Sequence, residues 1–285
     1  MKVTLWGTRG SLASPGPETL KFGGNTSCVS IEGSEDTIIV LDGGTGIRKL
    51  GQHLPDTIKK VYILLTHLHM DHVQGLPFFA PLRRQGVEVH IWGPASTTLS
   101  LRARLLRYLS PPLFPVSVRE ILSDLHFHEL PSGTIDIREF QVTAQMIIHP
   151  NPTVGYRIED RNRSVTYLPD HEPALGVNSF PIGEDWTSGY ALAEGADLLI
   201  HDSQYTVDEY EQRIGFGHSC LTHAFQFGQL AAVKEFVPFH HDPAHTDEML
   251  DTMITDTVRE VQPNFVVTPG KEGAILEVGG EKLAS

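Results

Sequence analysis

The ten-residue stretch THLHMDHVQG, residues 66–75, places three imidazoles and one carboxylate within six consecutive positions. These side chains are His67, His69, Asp71 and His72. Neutral imidazole and ionised carboxylate are ligands that divalent zinc, iron and manganese accept. The chain has 15 histidines in 285 residues, so a solvated loop with neighbouring histidines is the alternative interpretation. The density of ligand types in so short a run favours a metal site.

The elements predicted around this run support the same interpretation. The apolar residues VYILL at 61–65 predict a buried strand, and VQGLPFF at 73–79 predicts the start of a helix. The ligand-type side chains therefore follow the carboxyl end of a strand. Open α/β sheets bind ligands at such ends, because loops there can direct side chains into one crevice.

Three further predicted strands end in side chains of the same two types. His149 ends one apolar run, Asp170 follows the next strand, and the pair His240 and His241 follows another. A single histidine at a strand end is more often structural than functional. Here, however, three strand ends supply the ligand types that a dinuclear site still lacks. Chance explains three such strand ends less well than it explains one.

The order of the predicted elements indicates the architecture. Strands are predicted at 3–6, 28–31, 37–41, 61–65, 87–92, 125–130, 135–142, 154–158, 164–168, 198–201, 236–239, 265–268 and 274–278, and helices at 96–109, 219–235 and 246–261. Strands and helices followed again by strands and helices predict an α/β fold, in which two β-sheets lie face to face with helices on the outer faces. The glycine-rich segments at 7–28 and 42–46 lack the Gly-Lys-Ser/Thr ending of a phosphate loop and are interpreted as turns.

Length, composition and cysteine content narrow the class of protein. With 40% hydrophobic residues and no linker-like segment, residues 1–285 are expected to form a single domain. No run approaches the ~20 apolar residues of a membrane span, and the first residues enter a strand without a signal-type apolar segment. Cys28 and Cys220 are the only cysteines, so no thiolate metal cluster is expected. A cytoplasmic location without a membrane partner follows as the expectation.

The charge balance bears on the partners. The formal net charge is -13, from 22 basic and 35 acidic residues, so the overall field repels nucleic acid and no stable nucleic-acid complex is expected. A small anionic substrate is compatible with this charge, because two bound divalent cations make the local field positive. A homodimer is also compatible with the sequence.

The motif His-x-His-x-Asp-His, residues 67–72, resembles the signature of the metallo-β-lactamase superfamily, and the resemblance covers nearly the whole chain. It implies the αββα sandwich and two divalent metal ions per chain, with zinc favoured and manganese or iron as alternatives. The implied ligands of the first metal are His67, His69 and His149. Those of the second are Asp71, His72 and a late histidine, and Asp170 bridges the two metals.

The late histidine has two candidates. In the family this ligand usually follows a Leu-Thr-type pair of residues at a strand end, as His67 follows Leu65 and Thr66 here. Counting from Phe239 and His240, this spacing favours His241. His240 is the alternative. His245 lies too far toward the next predicted helix to serve.

The resemblance extends to residues that would take part in the chemical step. Two cations that share a carboxylate acidify a shared water and hold the anionic oxygens of a substrate, so hydrolysis is expected. LIHDS, which contains Asp202, and GHS, which contains His218, resemble the phosphodiesterase branch that includes ribonuclease Z and cyclic-nucleotide phosphodiesterases. The resemblance implies that Asp202 orients His218, which donates a proton to the departing alkoxide. The metal-binding Asp71 completes the residues assigned to catalysis. The alternative is that Ser219 caps the next helix and His218 precedes it by chance.

The expected substrate is a small phosphodiester, with 3′,5′-cyclic AMP or GMP first. Cleavage of RNA in the manner of ribonuclease Z is an alternative, although no basic, flexible insertion is present to clamp transfer RNA. The proline-bearing segment 108–116 is interpreted either as a lid that stacks a base on Phe114 or as a connector.

Two further alternatives belong to other functional classes. A metal-dependent ester, lactone or thioester hydrolase would use the same ligands without needing His218. A binding or sensor protein would not need the complete ligand set. Oxygen-reducing diiron relatives usually carry glutamate where His69 stands, so redox chemistry is a poor fit.

Overall fold

A computed structural model describes residues 1–33, 36–115, 121–130, 132–175 and 183–279. Within these residues, fourteen strands form two mixed sheets of seven strands each. The strands of the first sheet are β1 Lys2–Gly7, β2 Cys28–Glu32, β3 Thr37–Leu41, β4 Lys60–Leu64, β5 Glu88–Gly93, β6 Asp124–Glu129 and β14 Ile275–Glu277. Those of the second are β7 Gly133–Ile137, β8 Phe140–Met146, β9 Val154–Asp160, β10 Arg163–Leu168, β11 Leu198–Asp202, β12 Glu235–Phe239 and β13 Val266–Val267.

The direction of the strands decides which of their ends share an edge. The first sheet has the order β14-β1-β2-β3-β4-β5-β6, and β3 to β6 are parallel. The second has the order β13-β12-β11-β10-β9-β8-β7, in which β10 to β13 are parallel. Because β9 is antiparallel to both β8 and β10, these two also run in the same direction. The carboxyl ends of β8, β10, β11 and β12 therefore meet at one edge.

Helices cover the outer faces of the two sheets. They are α1 Gly46–His53, α2 Met70–Val73, α3 Leu101–Leu106, α4 Tyr190–Ala193, α5 Val207–Glu211, α6 Leu221–Leu230 and α7 Asp247–Val261. Helix α7 begins where the Thr246 side chain accepts a hydrogen bond from the backbone N–H of Met249. Among the described residues, no helix has the length and apolar character needed to cross a membrane.

Three apolar layers hold this arrangement together. The layer between the sheets contains the buried rings of Tyr156 and Phe239. A second layer packs Leu50 of α1 and Leu101 of α3 on the outer face of the first sheet. The third packs α4, α6 and α7 on the second sheet around Phe225. The predicted αββα sandwich is confirmed.

Several predicted elements differ in extent from the observed ones. The strand predicted at 135–142 is a hairpin of β7 and β8, because Arg138 adopts a positive φ of 56° and turns the chain. The helix predicted at 96–109 begins only after Ser100, whose side chain accepts from the N–H of Ala103. The helix predicted at 219–235 is α6, which ends at Leu230. Cys28 and Cys220 are both buried and unpaired.

Candidate metal centre

Four loops at strand ends bring the candidate ligands together. The run 66–72 follows β4, His149 follows β8, Asp170 follows β10, and His240 follows β12. Their ligand atoms form two groups, and within each group all of these atoms lie within 4.8 Å of one another. The first group is His67, His69, His149 and Asp170. The second is Asp71, His72, Asp170 and His240.

The first group is the more open of the two. Nδ1 of His69 and Nε2 of His149 are 3.3 Å apart; His69 is half-buried, whereas the side chain of His149 is buried. His67 and Asp170 are buried beneath them, with Nε2 of His67 3.7 Å from Oδ2 of Asp170. A substrate would therefore approach the centre over His69.

The second group is buried at all four positions. Nε2 of His72 lies 3.1 Å from Oδ2 of Asp71 and 3.3 Å from Nε2 of His240. Nε2 of His240 is in turn 3.1 Å from the same Asp71 oxygen. Three side chains from two sheets thus direct ligand atoms at one buried point.

Asp170 belongs to both groups through different oxygens. Its Oδ2 lies 3.7 Å from Nε2 of His67 and 3.7 Å from Nε2 of His149. Its Oδ1 lies 2.9 Å from Nε2 of His72 and 3.4 Å from Nε2 of His240. A carboxylate with one oxygen toward each group has the geometry of a bridging ligand.

The prediction that His241 supplies the late ligand is corrected by the structure, which places His240 at the second group. His240 follows the last residue of β12 and adopts a positive φ of 60°, so the chain turns and the strand alternation stops there. The ring of His241 faces the other way. Its Nε2 donates to the carbonyl of Gly270 at 2.9 Å, and its ring packs against the edge of Phe22. Counting along the sequence could not anticipate this change of direction.

Asp42, which the sequence pattern places in a turn, is buried and contacts His72, a candidate ligand of the first sheet. Oδ2 of Asp42 lies 2.8 Å from Nδ1 of His72 and accepts from the hydroxyl of Tyr167 at 3.0 Å. Its Oδ1 accepts from the backbone N–H of Thr66 at 2.8 Å. Outer partners of this kind fix the orientation of ligating histidines. The available signal was a carboxylate at the end of β3, a strand parallel to β4.

The remaining ligand histidines also have fixed outer partners. Nδ1 of His149 donates to the carbonyl of Gly217 at 2.8 Å, and Nδ1 of His240 lies 2.9 Å from Oε1 of Gln204. Nδ1 of His67 contacts the hydroxyl of Thr66 at 3.0 Å. In all three cases Nδ1 is engaged, so Nε2 is the nitrogen that faces the centre.

The glycine-rich opening segment has a place in the centre that the turn interpretation did not include. The backbone N–H of Ser11 donates to Oδ2 of Asp71 at 2.8 Å. A Cβ on Gly10 would lie 2.4 Å from Nδ1 of His240, so only glycine lets the backbone pass this close. The segment therefore packs directly against Asp71 and His240 of the second group.

The donor set fits divalent cations. Nε2 of His67 is buried and has no hydrogen-bond partner among the described residues. Burial lowers the pKa of His67 well below its ordinary value, and burial likewise lowers the pKa of His69 and His149. Burial raises the pKa of Asp170, but the charges of His240 and His72 outweigh this effect and hold it well below its ordinary value. The neutral imidazoles of the first group and the ionised Asp170 are the protonation states that metals require. At His72, burial lowers the pKa, but the charges of Asp170, Asp71 and Asp42 outweigh burial and raise it well above its ordinary value, so a cation bound at Nε2 would replace a proton.

His218 and Asp202 form a pair beside the shared aspartate. Nδ1 of His218 donates to Oδ2 of Asp202 at 2.7 Å and lies 4.0 Å from Oδ2 of Asp170. Burial lowers the pKa of His218, but the charge and hydrogen bond of Asp202 outweigh burial and raise it to about 9. Asp202 is fully buried, and its Oδ2 also accepts from the backbone N–H of His171. His218 is therefore held protonated at Nδ1.

The alternative interpretation of Ser219 as a helix cap does not describe the structure. The N-cap residue of α6 is Cys220, and the cap has no side-chain hydrogen bond. The Ser219 hydroxyl instead donates to the carbonyl of His171 at 2.6 Å, and its N–H donates to Asp202. Ser219 thus ties the loop of His218 to the strand ends.

A second buried carboxylate, Glu172, anchors the loop that carries His218. Its Oε2 accepts from the backbone N–H groups of Gly215 and Gly217, at 3.1 and 3.0 Å. The hydroxyl of Tyr210 donates to its Oε1 at 2.8 Å. Because the carbonyl of Gly217 accepts from His149, this loop contacts both the metal ligands and His218.

The proline-bearing segment is described up to residue 115, and Val116 lies outside the described residues. The hydroxyl of Tyr108 donates to the carbonyl of Gln74 at 2.7 Å. The ring of Phe114 packs edge-on against Phe78, with centroids 5.8 Å apart. Leu113 is 68% exposed. The segment is thus packed on the loop that follows the ligand run.

Comparison with known proteins identifies the group of proteins that this chain resembles. A family model described as the β-lactamase superfamily domain matches residues 37–241, which is more than half of the chain. The ribonuclease Z of Anoxybacillus flavithermus is 25% identical over 255 residues, covering 75% of this chain and 78% of that protein.

Solved structures share the fold over nearly the whole chain. The metallo-β-lactamase fold protein YhfI from Bacillus subtilis superposes with a TM-score of 0.70 at 20% identity, over 98% of both chains. The short form of human tRNase Z, ELAC1, superposes with a TM-score of 0.67 at 22% identity, over 97% of this chain and 99% of that one. At these identities the likeness concerns the fold.

Proposed function

The chain belongs to the metallo-β-lactamase superfamily of metal-dependent hydrolases, and we propose that it is a dinuclear phosphodiesterase acting on small phosphodiesters, with 3′,5′-cyclic nucleotides first. The observation that carries this proposal is the ion pair of His218 and Asp202, 2.7 Å between Nδ1 and Oδ2, beside Asp170. A protonated imidazole next to the shared ligand is a proton donor for a poor leaving group. Hydrolysis of an activated ester or lactone has less need of one.

The proposed metal ligands divide between two ions. We assign His67, His69 and His149 to one ion, Asp71, His72 and His240 to the other, and Asp170 to both. Bound there, zinc, manganese or iron supplies Lewis acidity that lowers the pKa of a water and neutralises the charge of phosphate oxygens.

The chain's own residues provide the proton and the positioning. Asp202 holds Nδ1–H of His218, which leaves Nε2 as the nitrogen available to a substrate. From Nε2 the proton passes to the alkoxide oxygen as its bond to phosphorus breaks. The buried Asp202 carboxylate stabilises the charged imidazole before this transfer.

The charge of the chain favours a small substrate. At a net charge of -13 the surface field repels a long polyanion, whose binding depends on many phosphate contacts. A cyclic phosphodiester carries one negative charge that two cations can hold. The half-buried His69 leaves the first group open to such a molecule.

Cleavage of RNA is the second candidate, and the relatives named ribonuclease Z favour it. The relative from Shouchella clausii matches 90% of this chain at 23% identity. A precursor transfer RNA therefore belongs in the substrate panel. Its efficient cleavage without cyclic-nucleotide turnover would replace the small-substrate proposal.

The test compares two substrates that differ in leaving group. Protein reconstituted with zinc, manganese or iron is assayed on cyclic AMP, cyclic GMP, bis(p-nitrophenyl) phosphate, a lactone and a precursor transfer RNA. We expect turnover of cyclic nucleotides, and in His218→Ala a loss of about 10²–10⁴ in rate, the usual contribution of a general acid. The loss on bis(p-nitrophenyl) phosphate should be much smaller, because nitrophenolate leaves without protonation.

Two controls separate chemistry from metal binding. His218→Ala should keep both metals by elemental analysis. His53→Ala, an exposed histidine on α1, should leave both rates unchanged. Equal losses on the two phosphodiesters would remove His218 from the acid role. Lactone turnover without cyclic-nucleotide turnover would favour the ester hydrolase.

A further inference from the structure

A second group of histidines lies at the β6 edge of the first sheet. β6 is the last strand of that sheet and pairs with β5 in parallel register. We call Glu88, His90 and His126 the edge histidine cluster; their ligand atoms all lie within 4.8 Å of one another. None of them belongs to the dinuclear centre.

The strand register explains why these side chains meet. His90 is paired directly with His126, and their rings stack with centroids 4.8 Å apart. Glu88 precedes His90 by two residues, so it projects from the same face of β5. Val89 and Ile91, on the opposite face, pack under the helices. The pairing of β5 with β6 therefore places these three side chains next to one another.

Short polar contacts and partial exposure give the cluster the character of a ligand set. Nε2 of His90 lies 2.7 Å from Oε1 of Glu88. Nε2 of His126 lies 3.1 Å from Oδ1 of Asp124, a further carboxylate beside the cluster. The side chains of Glu88 and His126 are 39% and 41% exposed, so an ion can reach them.

Outer contacts fix the orientation of His90 in the way common for metal-binding histidines. Its Nδ1 lies 2.8 Å from Nε2 of His128, so Nε2, which faces the Glu88 carboxylate, is the nitrogen that would bind an ion together with that carboxylate. His128 is itself held by Trp92, with ring centroids 4.1 Å apart at an interplanar angle of 16°. The ring of Tyr62 stacks on His90, on the side opposite His126, with ring centroids 4.9 Å apart.

We propose that Glu88, His90 and His126 bind a third divalent cation, separate from the dinuclear centre. Two imidazoles and a carboxylate suit zinc, nickel and copper better than magnesium or calcium. The site lies in the first half of β5, whereas the dinuclear ligands follow the carboxyl end of β4. The competing interpretation is that the charged side chains only protect the edge strand from pairing with another chain.

The test titrates zinc-loaded protein, whose dinuclear centre is filled, with Cu²⁺ while calorimetry and tryptophan emission are recorded. We expect one further saturable equivalent, together with quenching of Trp92, because this ring stacks on the His128 that supports the site. His126→Ala and Glu88→Gln should each weaken this equivalent by more than about tenfold, since even outer partners of metal ligands contribute 10–100-fold.

Control variants identify where the ion binds. His53→Ala should keep the full third equivalent. Trp92→Phe should lose the quenching component while calorimetry still reports Cu²⁺ binding. His126 is 41% exposed, so its replacement should not unfold the chain, and thermal unfolding checks this. A third equivalent unchanged in both His126→Ala and Glu88→Gln, or no saturable equivalent at all, would overturn the proposal in favour of edge protection.

Discussion

The proposed dinuclear centre draws its ligands from two regions that are organised differently. The first sheet supplies His67, His69, Asp71 and His72 from one loop after β4. The second sheet supplies three ligands, each from a different strand end: His149, Asp170 and His240. The loop is a local motif, whereas the three strand ends come together only through the register of β8, β10 and β12. The strand-end ligands therefore depend on the whole sandwich.

The two regions also differ in what they contribute. Each candidate ligand of the loop belongs to one group or the other, while Asp170 faces both groups through separate oxygens. A change at Asp170 should thus affect more of the centre than a change at any one ligand of the loop. Variants of the two regions test this asymmetry.

The largest effect is expected from Asp170→Ala. This change removes the carboxylate that both groups share, so both metals should be depleted and activity should fall by about 10³-fold or more, equivalent to several kcal/mol of transition-state stabilisation. His69→Ala, in the loop, should deplete one metal only. Metal content and rates on bis(p-nitrophenyl) phosphate measure both. An active Asp170→Ala protein with two metals would contradict the bridging assignment.

The neighbouring pair after β12 gives a matched comparison. His240→Ala should empty one metal position and lower the rate by about 10²-fold or more, since a metal contributes several kcal/mol. His241→Ala should keep both metals but lower the free energy of unfolding by about 1–3 kcal/mol, because the carbonyl of Gly270 loses its buried partner. Elemental analysis and denaturant unfolding separate the two. The reverse pattern would return the ligand role to His241.

His240 and His241 show which features of the site can be predicted from the sequence and which cannot. The loop motif and Asp170 were visible as ligand types at strand ends, and the order of elements was sufficient for the αββα layers. The choice of His240 was not accessible, because it depends on a positive φ at that residue. Asp42 was missed for a related reason: its role arises from contacts with His72 and Tyr167 that only the assembled sheets create.

A smaller effect is expected from Asp42→Asn on the first-sheet side. The amide is nearly isosteric but removes the negative charge that orients His72, so metal affinity should fall about 10–100-fold. Competition with a chelator measures the affinity. Thr134→Ala, an exposed position on β7, serves as the control. Unchanged affinity in Asp42→Asn would assign Asp42 to packing alone.

On the second-sheet side, Glu172→Gln should act through the loop of His218. Loss of the charge weakens the hydrogen bonds from Gly215 and Gly217, so the rate on cyclic AMP should fall by about tenfold, in line with about 1.4 kcal/mol of lost positioning. Metal content should stay at two. An equal loss on bis(p-nitrophenyl) phosphate would show that Glu172 supports the metals, through His149, instead of His218.

The smallest effect is expected from Thr246→Ala, which should change the stability of the fold without changing the metal centre. Thr246→Ala removes the side-chain cap of α7 and should lower the free energy of unfolding by about 1 kcal/mol. Thr246→Ser, which keeps a hydroxyl, should restore most of it. Both variants should retain two metals and full activity. A loss of metal in Thr246→Ala would mean that the strand-end ligands depend on α7 as well as on the sheets.

The most direct test of the dinuclear assignment is anomalous scattering from crystals of the zinc-loaded protein. We expect two ions in the centre, one contacting His67 and His149 and the other contacting His72 and His240, with one oxygen of Asp170 on each. A single ion, an Asp170 carboxylate that contacts only one ion, or an ion bound by His241 would contradict the shared-ligand assignment.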